Sequence, residues 1–234
     1  MAPRFAPFDI VQWLPEDTAR ALLGAACRRH VKAGALIYAQ GDEGHEMFRI
    51  VSGSVRLSVM GEDGRDLLYQ LFGPGDCFGT SSVIDGEPRP QTADAHEDVE
   101  LQLLDRTTID RLRLTHFEIN SALLKLLSRH MRLLSDHFAG ATLNEVSFRL
   151  AQRLTDIAQT FGETNTEGIA LSTRLSQSEL AAMVGTTRQT VNRMLQRFQE
   201  QGWLSIRNGA IVLTNLPALE IAAHSGARLR DFSR

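Results

Sequence analysis

The chain has 234 residues, a net charge of −3, and is 43% hydrophobic and 23% charged, an ordinary globular composition with room for two small domains. It has no apolar run of about 18 residues, which excludes a membrane-spanning helix. The opening MAPRFAPFDI lacks the apolar core of a secretory leader, so a cytoplasmic location is expected. Two cysteines, Cys27 and Cys77, make no metal-ligand cluster and read as idle or buried thiols.

Residues 30–105 read as short strands. VRLSVM (Val55–Met60) alternates apolar and polar residues, whereas LLYQLF and VELQLL are mostly apolar, as buried strands are. The turn signals AQGDEG, GEDG, GPGD and DGEP separate them. This pattern predicts an antiparallel roll or sandwich and lacks the βαβ alternation of a Rossmann-type fold. One loop within it, CFGTSSVIDGEPRPQTADA (Cys77–Ala95), has the outline of a phosphate cradle: an early Gly79, a turn, then Arg89.

After Arg106 the period changes. Leu124, Leu127, Met131, Leu134 and Phe138 are spaced 3, 4, 3, 4, a coiled-coil seam over about two heptads. A second stripe runs through Leu123, Leu126, His130, Leu133 and His137. So wide an apolar arc predicts a helix packed both on its own roll and on a second copy. Gly140 is expected to bend or interrupt it. A second helix is expected from about Leu143 to Thr160, followed by a polar turn or linker, FGETNTEG.

The C-terminal segment LSQSELAAMVGTTRQTVNRMLQRFQEQGWLSIRNGAIVLTN is the most informative. Ser176 with Glu179 has capping-box spacing, and so has Thr186 with Gln189. These place two helices around a tight turn at Val184-Gly185, a helix-turn-helix. Val191, Met194, Leu195 and Phe198 form an inward face. The outward face carries Arg188, Gln189, Asn192, Arg193, Gln196 and Arg197, with no acid before Glu200. Two strands around Asn208-Gly209 add a hairpin wing. From Ser172 onward the net charge is +4, against −7 for the remainder, which suits nucleic acid at this end. Arg bonds guanine O6 and N7, and Gln bonds adenine N6 and N7. Thr186, Thr187 and the helix start suit a phosphate, as does Arg207 at the wing.

With VSGSVRLSV, GPGDCFG, the Arg89 loop, RLAQRLTDIA and TTRQTVNRML in this order, nearly the whole chain resembles the Crp/Fnr family of transcription regulators. The resemblance implies an α+β fold. An antiparallel β-roll (a double-stranded β-helix) spans residues 1–113, a long dimerisation helix 114–140, and a winged helix-turn-helix 141–234. It implies a homodimer through Leu124, Leu127, Met131, Leu134 and Phe138, and a palindromic double-stranded DNA operator with half-sites roughly 34 Å apart. RNA polymerase is the expected protein partner. The implied DNA-binding residues are Ser176, Gln177, Thr187, Arg188, Gln189, Asn192, Arg193, Gln196 and Arg207. Gln189 stands where the family usually has Glu.

For the effector, the resemblance implies Gly79, Thr80, Arg89, Gln91, Leu134 and Ser135. Thr80 replaces the Glu that holds the ribose, Pro90 has no N–H to offer, and Leu134-Ser135 replaces the Thr-Ser pair that meets adenine. Tight cyclic-AMP binding is therefore not expected, and no cofactor is required. A different small anion remains open, as does a roll serving only as a scaffold with Arg89 paired to Asp85, Glu87 or Asp94. Haem also remains open, because MAPRF is similar to the start of the family's haem sensors. Against it, the ligand positions read Gly79-Thr80-Ser81, with Cys77 and His96 displaced. No triad, P-loop or paired carboxylates mark an enzyme.

Overall fold

The computed structural model describes residues 6–62 and 66–224. The chain divides into two compact units, the first ending at Ser135 and the second starting at Asp136.

In the first unit a 3-10 turn (Ile10–Trp13) and α1 (Glu16–Gly24) precede the strands. These are β1 (Cys27–Val31), β2 (Leu36–Tyr38), β3 (Glu46–Ser52), β4 (Val55–Met60), β5 (Asp66–Phe72) and β6 (Cys77–Phe78). A short helix α2 (Thr80–Asp85) leads to β7 (Thr92–Ala95) and β8 (Val99–Asp105). The strands form two antiparallel four-stranded sheets, ordered β1-β8-β3-β6 and β2-β7-β4-β5. Apolar side chains from both sheets make one core, in which Phe48 stacks on Phe78 at 5.0 Å. This is the predicted antiparallel roll.

Asp105 caps α3 (Arg106–Thr115) by accepting from Thr108 N at 2.8 Å. The long helix α4 (Glu118–Leu143) follows. Its inner face buries Ile119, Ala122, Leu123 and Leu126 against the roll. His130 continues that face and stacks on Phe8 with ring centroids 4.8 Å apart. Phe8 is itself fixed, since its N–H donates to Asp76 and its carbonyl accepts from Cys77 N. The other stripe faces outward: Leu124, Met131, Leu134 and Phe138 are 55–73% exposed, and Leu127 is partly buried. Phe117, 72% exposed, begins the same seven-residue spacing. Gly140 does not interrupt α4, which runs on to Leu143, because a helix interior tolerates Gly at a cost of only about 1 kcal/mol.

In the second unit α5 (Val146–Phe161) is followed by β9 (Gly162–Asn165) and β10 (Gly168–Leu171). FGETNTEG is thus a β-hairpin rather than a linker. Its turn is closed by Asn165, whose side chain accepts from Glu167 N and Gly168 N. Then come α6 (Gln177–Val184), α7 (Arg188–Glu200), β11 (Leu204–Arg207), β12 (Ala210–Leu213) and α8 (Leu216–His224). The sheet order is β11-β12-β10-β9, so the β9–β10 hairpin pairs with the wing. Val191, Leu195 and Phe198 of α7 are buried.

Burial holds the His130 imidazole neutral, lowering its pKa from 6.5 to about 4. Between those values the unfolded chain takes up a proton that the folded roll refuses. The stability from neutral His130 is therefore present above pH 6.5 and lost as pH falls toward 4. Asp76, raised to about 7 by burial, works in the opposite direction. His130→Phe keeps the stack on Phe8 and should flatten the acid-side loss relative to the parent. Urea unfolding of both proteins at pH 5 and pH 7.5 checks this.

Candidate nucleic-acid interface and sensor site

The helix-turn-helix is built by local backbone chemistry. Ser176 and Glu179 form the predicted capping box: the Ser hydroxyl accepts from Glu179 N at 3.1 Å, and the Glu carboxylate accepts from Ser176 N at 2.8 Å. The Ser176 hydroxyl is thereby committed to the cap. Gly185, left-handed at φ 61°, ends α6. The second cap falls one residue later than predicted. Thr187, not Thr186, has the extended backbone of an N-cap, and its hydroxyl accepts from Thr190 N at 3.2 Å. Thr186 N instead donates to Ala181 O to close the first helix.

On α7, Arg188, Gln189, Arg193, Gln196 and Arg197 are exposed. Arg193 Nη2 makes a long 3.5 Å contact to Thr190 Oγ1. Asn192 differs from its expected place on a free outward face. It is partly buried, and its Oδ1 accepts from Gln177 Nε2 at 3.0 Å. Gln177 Oε1 in turn accepts from Arg188 Nε at 3.5 Å. The predicted interface residues at the start of α6 are thus tied to those on α7. The wing turns at Asn208 (φ 51°) and Gly209 (φ 79°), the two positive φ values of a type I′ hairpin. Arg207 beside it is exposed but pairs with Glu167 of the neighbouring hairpin at 2.9 Å. Glu167 is a neighbour that the sequence reading missed, because the pairing spans 40 residues.

The Arg89 loop is closed. The Arg89 side chain is 1% exposed. Nη1 donates to Gly79 O at 2.9 Å and Nη2 to Glu46 O at 2.8 Å, with the Glu46 carboxylate at 3.4 Å. Its acidic neighbour is therefore Glu46 on β3, not Asp85, Glu87 or Asp94. Asp94 lies beside Arg56 instead. The guanidinium carbon stands 4.3 Å from the centre of the Tyr38 ring, a cation–π contact. Gly79 permits this packing: its φ is 73°, and a Cβ there would lie 2.7 Å from Arg89 Nη1. Burial lowers the pKa of Arg89 and raises that of Tyr38. Thr80 is buried, and neither its Oγ1 nor Arg89 Nε has a hydrogen-bond partner among the described residues. Gln91 is partly buried, whereas Leu134 and Ser135 are exposed on α4 and are not among the partners of Arg89.

A capped helix-turn-helix with a hairpin wing, in a chain whose other unit is a β-roll closed on a buried arginine, defines a DNA-binding regulator with a ligand-sensor fold. Residues 28–116 match the cyclic nucleotide-binding domain, and residues 148–222 match the Crp-like helix-turn-helix domain. The CRP-like cAMP-activated global transcriptional regulator of Mycobacterium tuberculosis is 30% identical over 182 residues, covering 78% of this chain and 81% of that one. The cyclic AMP receptor protein of Thermus thermophilus is 31% identical, covering 82% and 86%. Among solved structures, a CRP-family transcriptional regulator from Thermus thermophilus superposes with a TM-score of 0.71 at 26% identity, covering 86% and 98%. FixK2 of Bradyrhizobium japonicum shares the fold, with a TM-score of 0.75 at 23% identity, covering 83% and 96%. The chain belongs to the Crp/Fnr family and is a DNA-binding transcription regulator.

Replacing Arg89 would leave the Gly79 and Glu46 carbonyls buried without their donors. Arg89→Leu should destabilise the roll by about 1–3 kcal/mol, read as a lower Tm by circular dichroism.

Proposed function

We propose that this chain is a homodimeric, sequence-specific regulator acting in the cytoplasm, not an enzyme, and that its roll does not depend on tight cyclic-AMP binding. The observation that carries the DNA reading is the exposed, acid-free basic face of α7. Arg188 and Arg193 keep guanidinium groups directed away from the core, and Gln189 offers a full amide. These are the groups that read base edges in a major groove. Thr187 and the wing suit the flanking phosphates.

The homodimer rests on α4. Four large apolar side chains at heptad positions stand more than half exposed along one stripe, which a second copy of the helix would cover by knobs-into-holes packing. Such a dimer presents two recognition helices to a palindromic operator. RNA polymerase is the partner through which a bound regulator would act.

Two features support independence from cyclic AMP. Thr80 brings no carboxylate to a ribose, and both Nη atoms of Arg89 already bond main-chain carbonyls. A phosphate would have to displace those carbonyls. Haem does not fit the loop: Gly79, Thr80 and Ser81 stand where it needs a nitrogen or thiolate ligand. The Cys77 side chain is fully buried in the apolar core of the roll. A second reading, a small anionic effector other than cyclic AMP, is favoured by the unpartnered Arg89 Nε and Thr80 Oγ1. Such an anion would turn the guanidinium and accept from both.

The test starts from duplexes selected by the full protein. Arg193→Ala should weaken binding to the selected duplex by about 1–3 kcal/mol and relax one base position. Cyclic AMP should leave the parent affinity unchanged. Fluorescence anisotropy measures both, and a strong dependence on cyclic AMP would remove this reading of the roll. Leu124→Asp should convert the dimer to a monomer in sedimentation velocity, because each copy would bring a charge to the seam.

A further inference from the structure

Three polar side chains on the helix-turn-helix are wired in series. Arg188 Nε donates to Gln177 Oε1, and Gln177 Nε2 donates to Asn192 Oδ1. The contacts join the first residue of α6 to two residues one turn apart on α7. The two ends of an amide are alike in shape, so its direction follows from its hydrogen-bond network. Arginine settles that direction because a guanidinium has donors only. With Arg188 donating, the oxygen of Gln177 must face it and its NH2 must face Asn192. Asn192 must then meet that donor with its oxygen, which leaves its own NH2 outward. The 3.5 Å contact is long; it sets direction more than it adds energy.

We propose that Gln177 is a positioning residue that fixes which hydrogen-bonding group Asn192 presents to DNA. This rests on the reading of α7 as the recognition helix. A free Asn bonds adenine with both ends of its amide, accepting from N6 and donating to N7. With its oxygen turned toward Gln177 and its NH2 outward, Asn192 is not oriented to do so. It reads as a donor only, so it favours an acceptor edge, guanine O6/N7 or thymine O4, and rejects the cytosine amino group. The same contact takes Arg188 Nε and leaves its two Nη groups for an end-on approach to guanine. Gln177 thus acts on specificity through its neighbours.

The direction of the wire can be reversed. In Gln177→Glu the carboxylate still accepts from Arg188 but has no donor for Asn192. Asn192 must then turn its NH2 inward and present its oxygen to the DNA. At the base position read by Asn192, preference should move from an acceptor edge toward cytosine, by about tenfold in relative affinity. Asn192→Ala should abolish discrimination at that same position without reversing it.

The experiment selects half-sites from a randomised duplex pool with the full-length parent, Gln177→Glu, Asn192→Ala and Arg193→Ala, followed by anisotropy on the four base pairs at each position. Thermal unfolding of each variant checks that the helix-turn-helix is intact, and Gln177→Met replaces Gln177→Glu if the latter fails to fold. Met removes both bonds and frees the Asn192 amide, so adenine should gain about tenfold at that position. The proposal is overturned if Gln177→Glu keeps the parental ranking at every position, with or without a uniform loss of affinity. If Arg193→Ala still relaxes its own position in that case, the recognition-helix reading survives and only the wire fails. If the parent selects no sequence, both fail together.

Discussion

The long helix α4 carries more apolar surface than the described residues cover, and that surplus sets what the chain can pair with. α4 buries Ile119, Ala122, Leu123 and Leu126 on the roll. That face is enough to fix the helix, with His130 and Phe8 stacked where the N-terminal segment crosses it. On the opposite stripe Leu124, Met131, Leu134 and Phe138 are left more than half exposed by the described residues. Monomeric proteins rarely leave contiguous apolar patches of this kind. An offset of one residue between two heptad stripes therefore decides both the attachment of the helix to its roll and the proposed pairing of two copies.

The roll solves a different problem, which is how to bury a charge. A guanidinium taken from water needs acceptors for its donors, and unpaired burial costs several kcal/mol. Arg89 finds two carbonyls, the edge of the Glu46 carboxylate and the face of Tyr38. The left-handed Gly79 is the element that brings one of those carbonyls within reach. An arginine satisfied in this way acts as a structural member of the loop. It becomes a ligand contact only if an anion offers more than the two carbonyls it would displace.

Much of this was legible in the sequence, for reasons of range. Period-2 and period-3.5 patterns, capping boxes and the Asn208-Gly209 turn are local signals, and they place the strands, α4, the helix-turn-helix and the wing. The failures are instructive in the same terms. Thr186 and Thr187 are adjacent and chemically alike, so only backbone geometry separates cap from turn. The β9–β10 hairpin went unread because GETN and GIAL carry too few β-branched residues and no alternation. Gly140 is a weak helix breaker, since its cost of about 1 kcal/mol is small against a helix of 26 residues. The partner of Arg89 was missed because Glu46 lies 43 residues earlier, and nothing in the loop itself points to β3. The Gln177–Asn192 bond spans 15 residues across two helices. The spacing shows both residues near the interface but not that they spend hydrogen bonds on each other.

The arginines of this chain differ less in position than in how many donors they have left. Arg89 has given both Nη groups to the main chain and keeps a buried Nε. Arg207 has given one Nη to Glu167. Among the described residues, Arg188 has a long contact through Nε and retains its terminal fork, and Arg193 makes one long contact to a hydroxyl. A guanidinium recognises a base or a phosphate through pairs of parallel donors. The order of availability is therefore Arg193, then Arg188, then Arg207, with Arg89 last. A motif records all four as equally capable; the hydrogen bonds already made rank them. The same accounting separates Gln189, whose amide is exposed on α7, from Asn192, whose oxygen is turned toward Gln177, although both stand on one helix face and carry the same functional group.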